Sequence, residues 1–209
     1  MSSELISKLR RNALLLGLAA LVGAGLLASI NHWARPRVEI NRAEALRGQL
    51  AELVPAELYD TPLEQGASSL QASGLGVGKQ SLYRARLNGA VTAVLITAVV
   101  ADGYNGAIRL LVAVQKNGQV LGVRVLEHRE TPGLGDAIER RKSDWILGFD
   151  GRSLDDPPLA KWMVRKDGGG FDQITAATIT PRAVVGGVMR ALEYARDHHA
   201  ELFETENTP

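Results

Sequence analysis

The 209-residue chain contains no cysteine. That absence removes disulfides, thiolate-ligated iron–sulfur clusters, cysteine zinc sites and cysteine nucleophiles from consideration. Redox chemistry in such a chain has to come from a bound organic cofactor or a haem. Histidine is scarce as well, at four residues. His32 and His128 stand apart, while His198 and His199 are adjacent on an expected helix and point to different sides, so no metal site is expected. Charge of one sign is also lacking: 24 Lys and Arg against 23 Asp and Glu leave a net +1. No basic cluster is interleaved with aromatic residues, which argues against nucleic acid as a partner. No G-x-G-x-x-G segment lies between an expected strand and an expected helix, so a free-standing nucleotide-dependent reductase is disfavoured. Asp155 and Asp156 precede Pro157-Pro158 without further carboxylates at metal spacing, and they read as solvated.

Long hydrophobic runs are few, and the one present is informative. Ala13 to Ile30 carries no charged residue; as a helix it spans about 27 Å, close to the roughly 30 Å of a bilayer's hydrocarbon core. Lys8, Arg10 and Arg11 precede it, and Trp33, Arg35 and Arg37 follow as interfacial residues would. The run is long for a signal-peptide core and no A-x-A pattern follows, so an uncleaved single-pass anchor is expected. Flanking charges are nearly balanced and do not set its orientation. With 45% apolar residues, the rest of the chain is long enough for one domain with a substantial core.

The expected organisation is a tail and membrane anchor over 1–34, a helix and irregular connection over 35–80, a cofactor-sized domain over 81–200, and a polar tail over 201–209. Asn41 reads as the cap of a separate helix reaching Leu53, with Glu44 three residues on and Pro55 ending it. Thr61 to Lys79, with Pro62 and four glycines, reads as irregular. Two hairpins follow. Ser81–Leu87 and Val91–Val100 flank Asn88-Gly89, a type I′ signal, with the second strand apolar enough to be buried on both faces. Ile108–Val114 and Val120–Leu126 flank Lys116-Asn117-Gly118. Beyond them, Asp136 and Glu139 suggest the cap of a short helix carrying Ile138. Trp145, Ile146, Leu147 and Phe149 form an apolar cluster, and Lys161–Lys166 reads as a strand. The fold class is α+β, with a mainly antiparallel sheet and flanking helices.

A final helix is predicted from about Pro181 to about His199. Thr180 has the side chain of an N-cap, Pro181 suits a position that needs no N–H, and Val184, Val185, Val188, Leu192 and Ala195 recur at helical spacing. Free N–H groups at such a start favour an anion held near Thr178, and Gly168, Gly169 and Gly170 allow close backbone approach. Gly103-Tyr104-Asn105-Gly106 is either a plain link between hairpins or part of a ligand site, and Tyr104 packs on a ligand or on the core.

The segment Asp172-Gln173-Ile174-Thr175-Ala176-Ala177-Thr178 resembles the D-x-x-[ST]-G-A-T signature of FMN-binding domains. Gly103-Tyr104-Asn105-Gly106-Ala107-Ile108 and His128-Arg129-Glu130-Thr131-Pro132-Gly133-Leu134-Gly135 resemble further stretches of the same family in the same order. Together with the anchor, the chain resembles the G subunit of Rnf (Rsx) ion-translocating electron-transport complexes over nearly its whole length. The resemblance implies an FMN esterified through its phosphate to Thr178 by a flavin transferase, with Asp172, Thr175 and Ala177 as motif positions. Gly133 and Leu134 are then placed against the flavin, beside Thr131 and Tyr104. Glu130 is expected to shape the loop and not to act as an acid or base. Lys166, close in sequence, would help neutralise the phosphodiester. Implied partners are the other subunits of such a complex, with the large domain on the periplasmic side of a bacterial inner membrane. One departure stands out: Ala176 occupies the signature's glycine, a strained substitution where that residue needs positive φ. An anchored structural module without cofactor is the competing reading.

Overall fold

The computed structural model describes residues 3–204. The chain divides into two units after Leu46. The first is the greater part of one continuous helix, α1 (Ser3–Leu53), 51 residues long with Pro36 inside it. The sequence predicted two helices here, with Asn41 capping the second; instead the helix runs through Asn41 without a break. Asparagine is only mildly unfavourable inside a helix, and Ala43, Glu44, Ala45 and Leu46 after it are good helix formers, so nothing local interrupts the helix at Asn41. Its apolar side chains point outward on every side, with Leu14, Leu16, Leu21, Leu27 and Trp33 all more than 70% exposed. The run from Ala13 to Ile30 is apolar all round and buries none of its large side chains, which matches a lipid environment, and the helix is long and apolar enough to cross a membrane. The Arg37 guanidinium lies 5.0 Å from the centre of the Trp33 ring, one helical turn away.

The second unit starts at Arg47. The reason is burial: Leu50, Leu53, Val54, Leu63 and Leu75 all belong to the core. The helix stops at Leu53 because Val54 precedes Pro55, where the α conformation is disfavoured. Five antiparallel strands follow as a simple meander: β1 (Ser68–Leu70), β2 (Gln80–Leu87), β3 (Ala90–Val100), β4 (Ile108–Gln115) and β5 (Val120–Glu127). Strand β1 adds an edge that the glycines of 61–79 concealed. Asn88 at φ 50 and Gly89 at φ 80 make the β2–β3 turn as their sequence predicts. From Ala93 to Ala98 every residue of β3 is buried, so this central strand is covered on both faces.

One cover is α2 (Ile179–Asp197), which lays Val184, Val185, Val188, Ala191 and Leu192 on the sheet. Its short successor α3 (His199–Phe203) buries Leu202 and Phe203, so the compact unit extends into what read as a polar tail; residues 205–209 lie outside the described chain. The long connection between β5 and α2 is held by an aromatic cluster and by short 3-10 turns. Phe149 and Phe171 stack at 4.8 Å, Trp162 meets Phe171 at 4.8 Å, and Trp145 meets Phe149 edge-on at 5.5 Å. The strand expected over Lys161–Lys166 is instead a pair of 3-10 turns with a single bridge between Val164 and Phe171. Gly168, at φ 88, reverses the chain at once, so Arg165 N–H meets Phe171 C=O at 2.7 Å and no neighbouring strand is reached. Asp136 and Glu139 do not cap a helix either. The 3-10 turn Gly135–Ile138 starts after Leu134 without a side-chain cap, and Glu139 lies beyond it, bonded to His128.

Candidate functional site

Three separate stretches meet at the end of the sheet where β5 runs out. Glu130, three residues past β5, is 4% exposed. Its carboxylate accepts the backbone N–H of Asn105 at 3.0 Å and of Tyr104 at 3.3 Å, both in the β3–β4 connection. It also accepts the hydroxyl of Thr180, which is 1% exposed in the first turn of α2. A buried carboxylate is tolerable only when its lone pairs are used in this way. Glu130 therefore ties the loop after β3, the loop after β5 and the start of α2 to one point. The close approach requires glycine on two sides. A methyl at Gly103 would lie 3.0 Å from Glu130 Oε1 and 2.2 Å from Gly106 O, and one at Gly135 would lie 2.8 Å from Glu130 Cβ. Asn105 adds a side-chain bond to Thr131 Oγ1 at 3.1 Å.

The backbone of Glu130 is fixed from the other side. Its N–H donates to Nδ1 of His128 at 3.1 Å, so that nitrogen is unprotonated and Nε2 carries the hydrogen facing Glu139 at 2.9 Å. Arg141 beside Glu139, with His128 as a second contributor, holds that carboxyl below the usual glutamate range. Thr131-Pro132-Gly133-Leu134 is a tight turn closed by Leu134 N–H on Thr131 C=O at 3.1 Å, with Gly133 at φ 78 as a type II turn requires.

Around this clasp lies a cavity of about 330 Å³, lined by Tyr104, Glu130, Thr131, Leu134, Gly135 and Ala176 to Thr180. That volume suits the lower end of small-molecule sites, roughly 300–1,000 Å³. Tyr104 and Leu134, 64% and 42% exposed, stand at its mouth. Of the residues expected at the site, Tyr104, Glu130, Thr131, Leu134, Ala177 and Thr178 are brought together on this wall. Thr175, Asp172, Gly133 and Lys166 are not among the lining residues. Asp172 instead anchors the start of the threonine loop. Its carboxylate pairs with Arg165 at 2.8 Å and its carbonyl accepts the Trp145 indole N–H at 2.7 Å, so the loop hangs from the aromatic cluster. The glycines 168–170 line none of the cavity either. Gly169 is forced by packing, since a methyl there would sit 1.8 Å from Met163 O.

The threonine loop itself is a β-turn. Ala177 N–H bonds Ile174 C=O at 3.1 Å, and Ala176 takes φ 65 while Thr175 does not take positive φ, which is the type II pattern. Ala176 thus adopts the left-handed conformation that a glycine would supply. Thr178 follows as the N-cap residue of α2, exposed, with a side chain that makes no capping bond. Thr180, read from sequence as that cap, is two residues inside the helix and serves Glu130. Pro181, at the third helical position, still removes only an N–H that has no helical acceptor.

Arg182, which the sequence did not single out, lies beside the threonine loop; it lines not the cavity itself but a neighbouring hollow that shares Ile179 with it. One turn after Thr178, it grips Asp167 through Nε at 2.6 Å and Nη2 at 2.7 Å, and its Nη1 reaches Thr178 O at 3.4 Å. This pairing holds the Asp167 carboxyl below the usual carboxylate range. Lys166, the cation singled out from sequence, is exposed and acts on the same Asp167 only through its charge. The i,i+4 spacing of Thr178 and Arg182 on one helix was the available signal.

Comparison with known families agrees with this geometry. Residues 103–193 match the FMN-binding domain, and residues 1–53 match the RnfG N-terminal region. The chain is 49% identical over 198 residues to the G subunit of the ion-translocating oxidoreductase complex of Pseudomonas aeruginosa, covering 94% of this chain and 92% of that protein. The corresponding G subunit of Shewanella oneidensis is 45% identical over 195 residues, 92% of each chain. That of Vibrio cholerae is 42% identical over 204 residues, 97% of this chain and 98% of the other.

Proposed function

This chain belongs to the family of G subunits of ion-translocating oxidoreductase complexes, and from that membership we propose that it carries electrons on one FMN joined through its phosphate to Thr178. The role in electron transport follows from the FMN-binding domain within such a subunit. The observation that carries the covalent reading is the placement of Thr178: an exposed hydroxyl, not spent on capping, in the wall of the cavity that Glu130 organises. The bond joins Thr178 Oγ1 to the flavin phosphorus as the P–O bond to the group carried on that phosphorus breaks; the threonine proton departs with that leaving group, and the chain gains the mass of FMN less one water. Bound FMN supplies one- and two-electron chemistry that the side chains of a cysteine-free chain do not provide.

The residues present fit such a group. Tyr104 and Leu134 offer apolar surface for a flat ring at the mouth, and Thr131 and the backbone of 176–180 offer polar partners. Glu130 is a positioning residue here. With its oxygens bound to two backbone N–H groups and a hydroxyl, it holds the three wall segments. Ala176 supports the structural-module reading less than its sequence suggested, since the turn keeps the glycine-like φ. The apolar part of α1 anchors the protein in a membrane, the large domain lies on the periplasmic side, a flavin transferase makes the ester, and the other subunits supply and remove the electrons.

The test is intact mass and in-gel flavin fluorescence of the chain purified from its own host, beside Thr178→Val. The expected result is a fluorescent band and a mass gain of one FMN less water, both lost in the variant. An unmodified mass, in a host that loads its other flavin-linked subunits, would overturn the reading.

A further inference from the structure

Three cations lie near the threonine loop, and two of them, Arg165 and Arg182, are paired with carboxylates. Arg165 is paired with Asp172 at 2.8 Å, and Lys166 is an exposed point charge near Asp167. Arg182 differs in geometry. Asp167 takes up Nε and one hydrogen of Nη2 in a two-point fork, which fixes the plane of the guanidinium. The opposite edge, Nη1, is left facing the carbonyl of Thr178 at 3.4 Å, longer than the roughly 2.7–3.2 Å of a good N–H···O bond. A guanidinium held by one edge, with the other edge under-used beside the residue that would carry an ester, is arranged to take a second anion there.

Resting on the FMN reading above, we propose that Arg182 is the residue that binds the flavin phosphate, and that Asp167 is the positioning residue that aims it. The phosphate oxygens accept from Nη1 and from the remaining hydrogen of Nη2, in a charge-assisted bond that replaces the long contact to Thr178 O. Lys166 is then dispensable. The same arrangement acts before any ester exists, since it recognises the phosphate of FMN bound without a covalent link. It makes no contact with the ring and so carries no preference among flavins that differ only in the ring.

Riboflavin, which has the ring and the ribityl chain but no phosphate, separates this from a structural role. The full-length chain in detergent, produced in a host without flavin transferase so that Thr178 is free, is titrated with FMN and with riboflavin by flavin fluorescence. Arg182→Gln is expected to weaken FMN about tenfold, the scale of one charge-assisted hydrogen bond, and to leave riboflavin unchanged. Arg182→Lys, which keeps charge but loses the fork, is expected to fall between, and Lys166→Gln to match the native chain. Equal loss of both ligands in Arg182→Gln and Arg182→Lys would assign Arg182 to folding alone and overturn the proposal, as would undiminished FMN binding. Failure of the native chain to bind either flavin is a different result: it removes the FMN reading of the cavity and this inference with it.

Discussion

Replacing Ala176 by glycine tests the shape of the attachment loop directly. At φ 65 the alanine methyl crowds its own carbonyl, a cost of about 1–2 kcal/mol that glycine does not carry. Glycine in turn loses more backbone entropy on folding, worth about 0.4–1 kcal/mol. The net expectation is a gain of about 0.8 kcal/mol, or about 2–3 °C in Tm for a domain of this size. Ala177, the next residue, does not take positive φ. Ala177→Gly pays only the entropy, and is expected to lose about 0.4–1 kcal/mol. The unfolded-state terms cancel in the comparison, so the gap between the two variants isolates the left-handed strain. Thermal melts of the full-length protein in one detergent, followed by far-ultraviolet circular dichroism, measure both. Equal destabilisation by the two glycines would refute the turn geometry. Flavin loading is expected to be the same in the native chain and in Ala176→Gly, because the loop already has the conformation the glycine would favour.

Thr180→Val keeps the shape of α2 but removes a donor from a buried carboxylate; a loss of about 1.5–3 kcal/mol in chemical denaturation is expected, together with weaker flavin binding. Gly135→Ala drives a methyl to within 2.8 Å of Glu130 Cβ, and should cost about 1–3 kcal/mol in the same assay. Glu139 has a folded-state pKa below the ordinary value of about 4.5, chiefly because of Arg141. Its contribution to stability is therefore complete above that value and is lost as pH falls through the lowered one. Glu139→Gln should flatten this acid limb in denaturation curves taken from pH 6 downward.

Local signals of turn and periodicity carried much of the fold. Asn88-Gly89 and Asn117-Gly118 marked the hairpins because few residue pairs tolerate such turns, and the spacing of Val184, Val188 and Leu192 marked α2 because a single face had to be buried. Elsewhere local reading failed for identifiable reasons. Asn41 looked like the cap of a separate helix, yet the good helix formers that follow it leave nothing to interrupt the run. Trp162 and Val164 alternate with exposed neighbours as in a strand, but the alternation is satisfied by an aromatic cluster and no partner strand. At the site, the threonine loop, Tyr104 and the loop after β5 were visible as motifs. Their convergence on Glu130 was not, since Asn105, Glu130 and Thr180 are far apart in sequence and nothing local announces their contact. Arg182 stayed hidden for the same reason, its role depending on an aspartate fifteen positions earlier.

The meander pairs every strand with its neighbour in sequence, so the pairing of the sheet needs nothing from Ile179 onward. The cavity does. One of its walls is the start of α2, tied in by a single hydroxyl. A chain cut before Ile179 keeps every strand pairing in its sequence but loses both a wall of the chamber and the apolar cover that Val184, Val185, Val188 and Leu192 lay on the sheet, and during synthesis the chamber would be the last thing to close. Under the esterification proposed for Thr178, an enzyme that acts on the finished pocket meets only chains that have completed their fold, and the ester would then record successful assembly as well as attach the flavin.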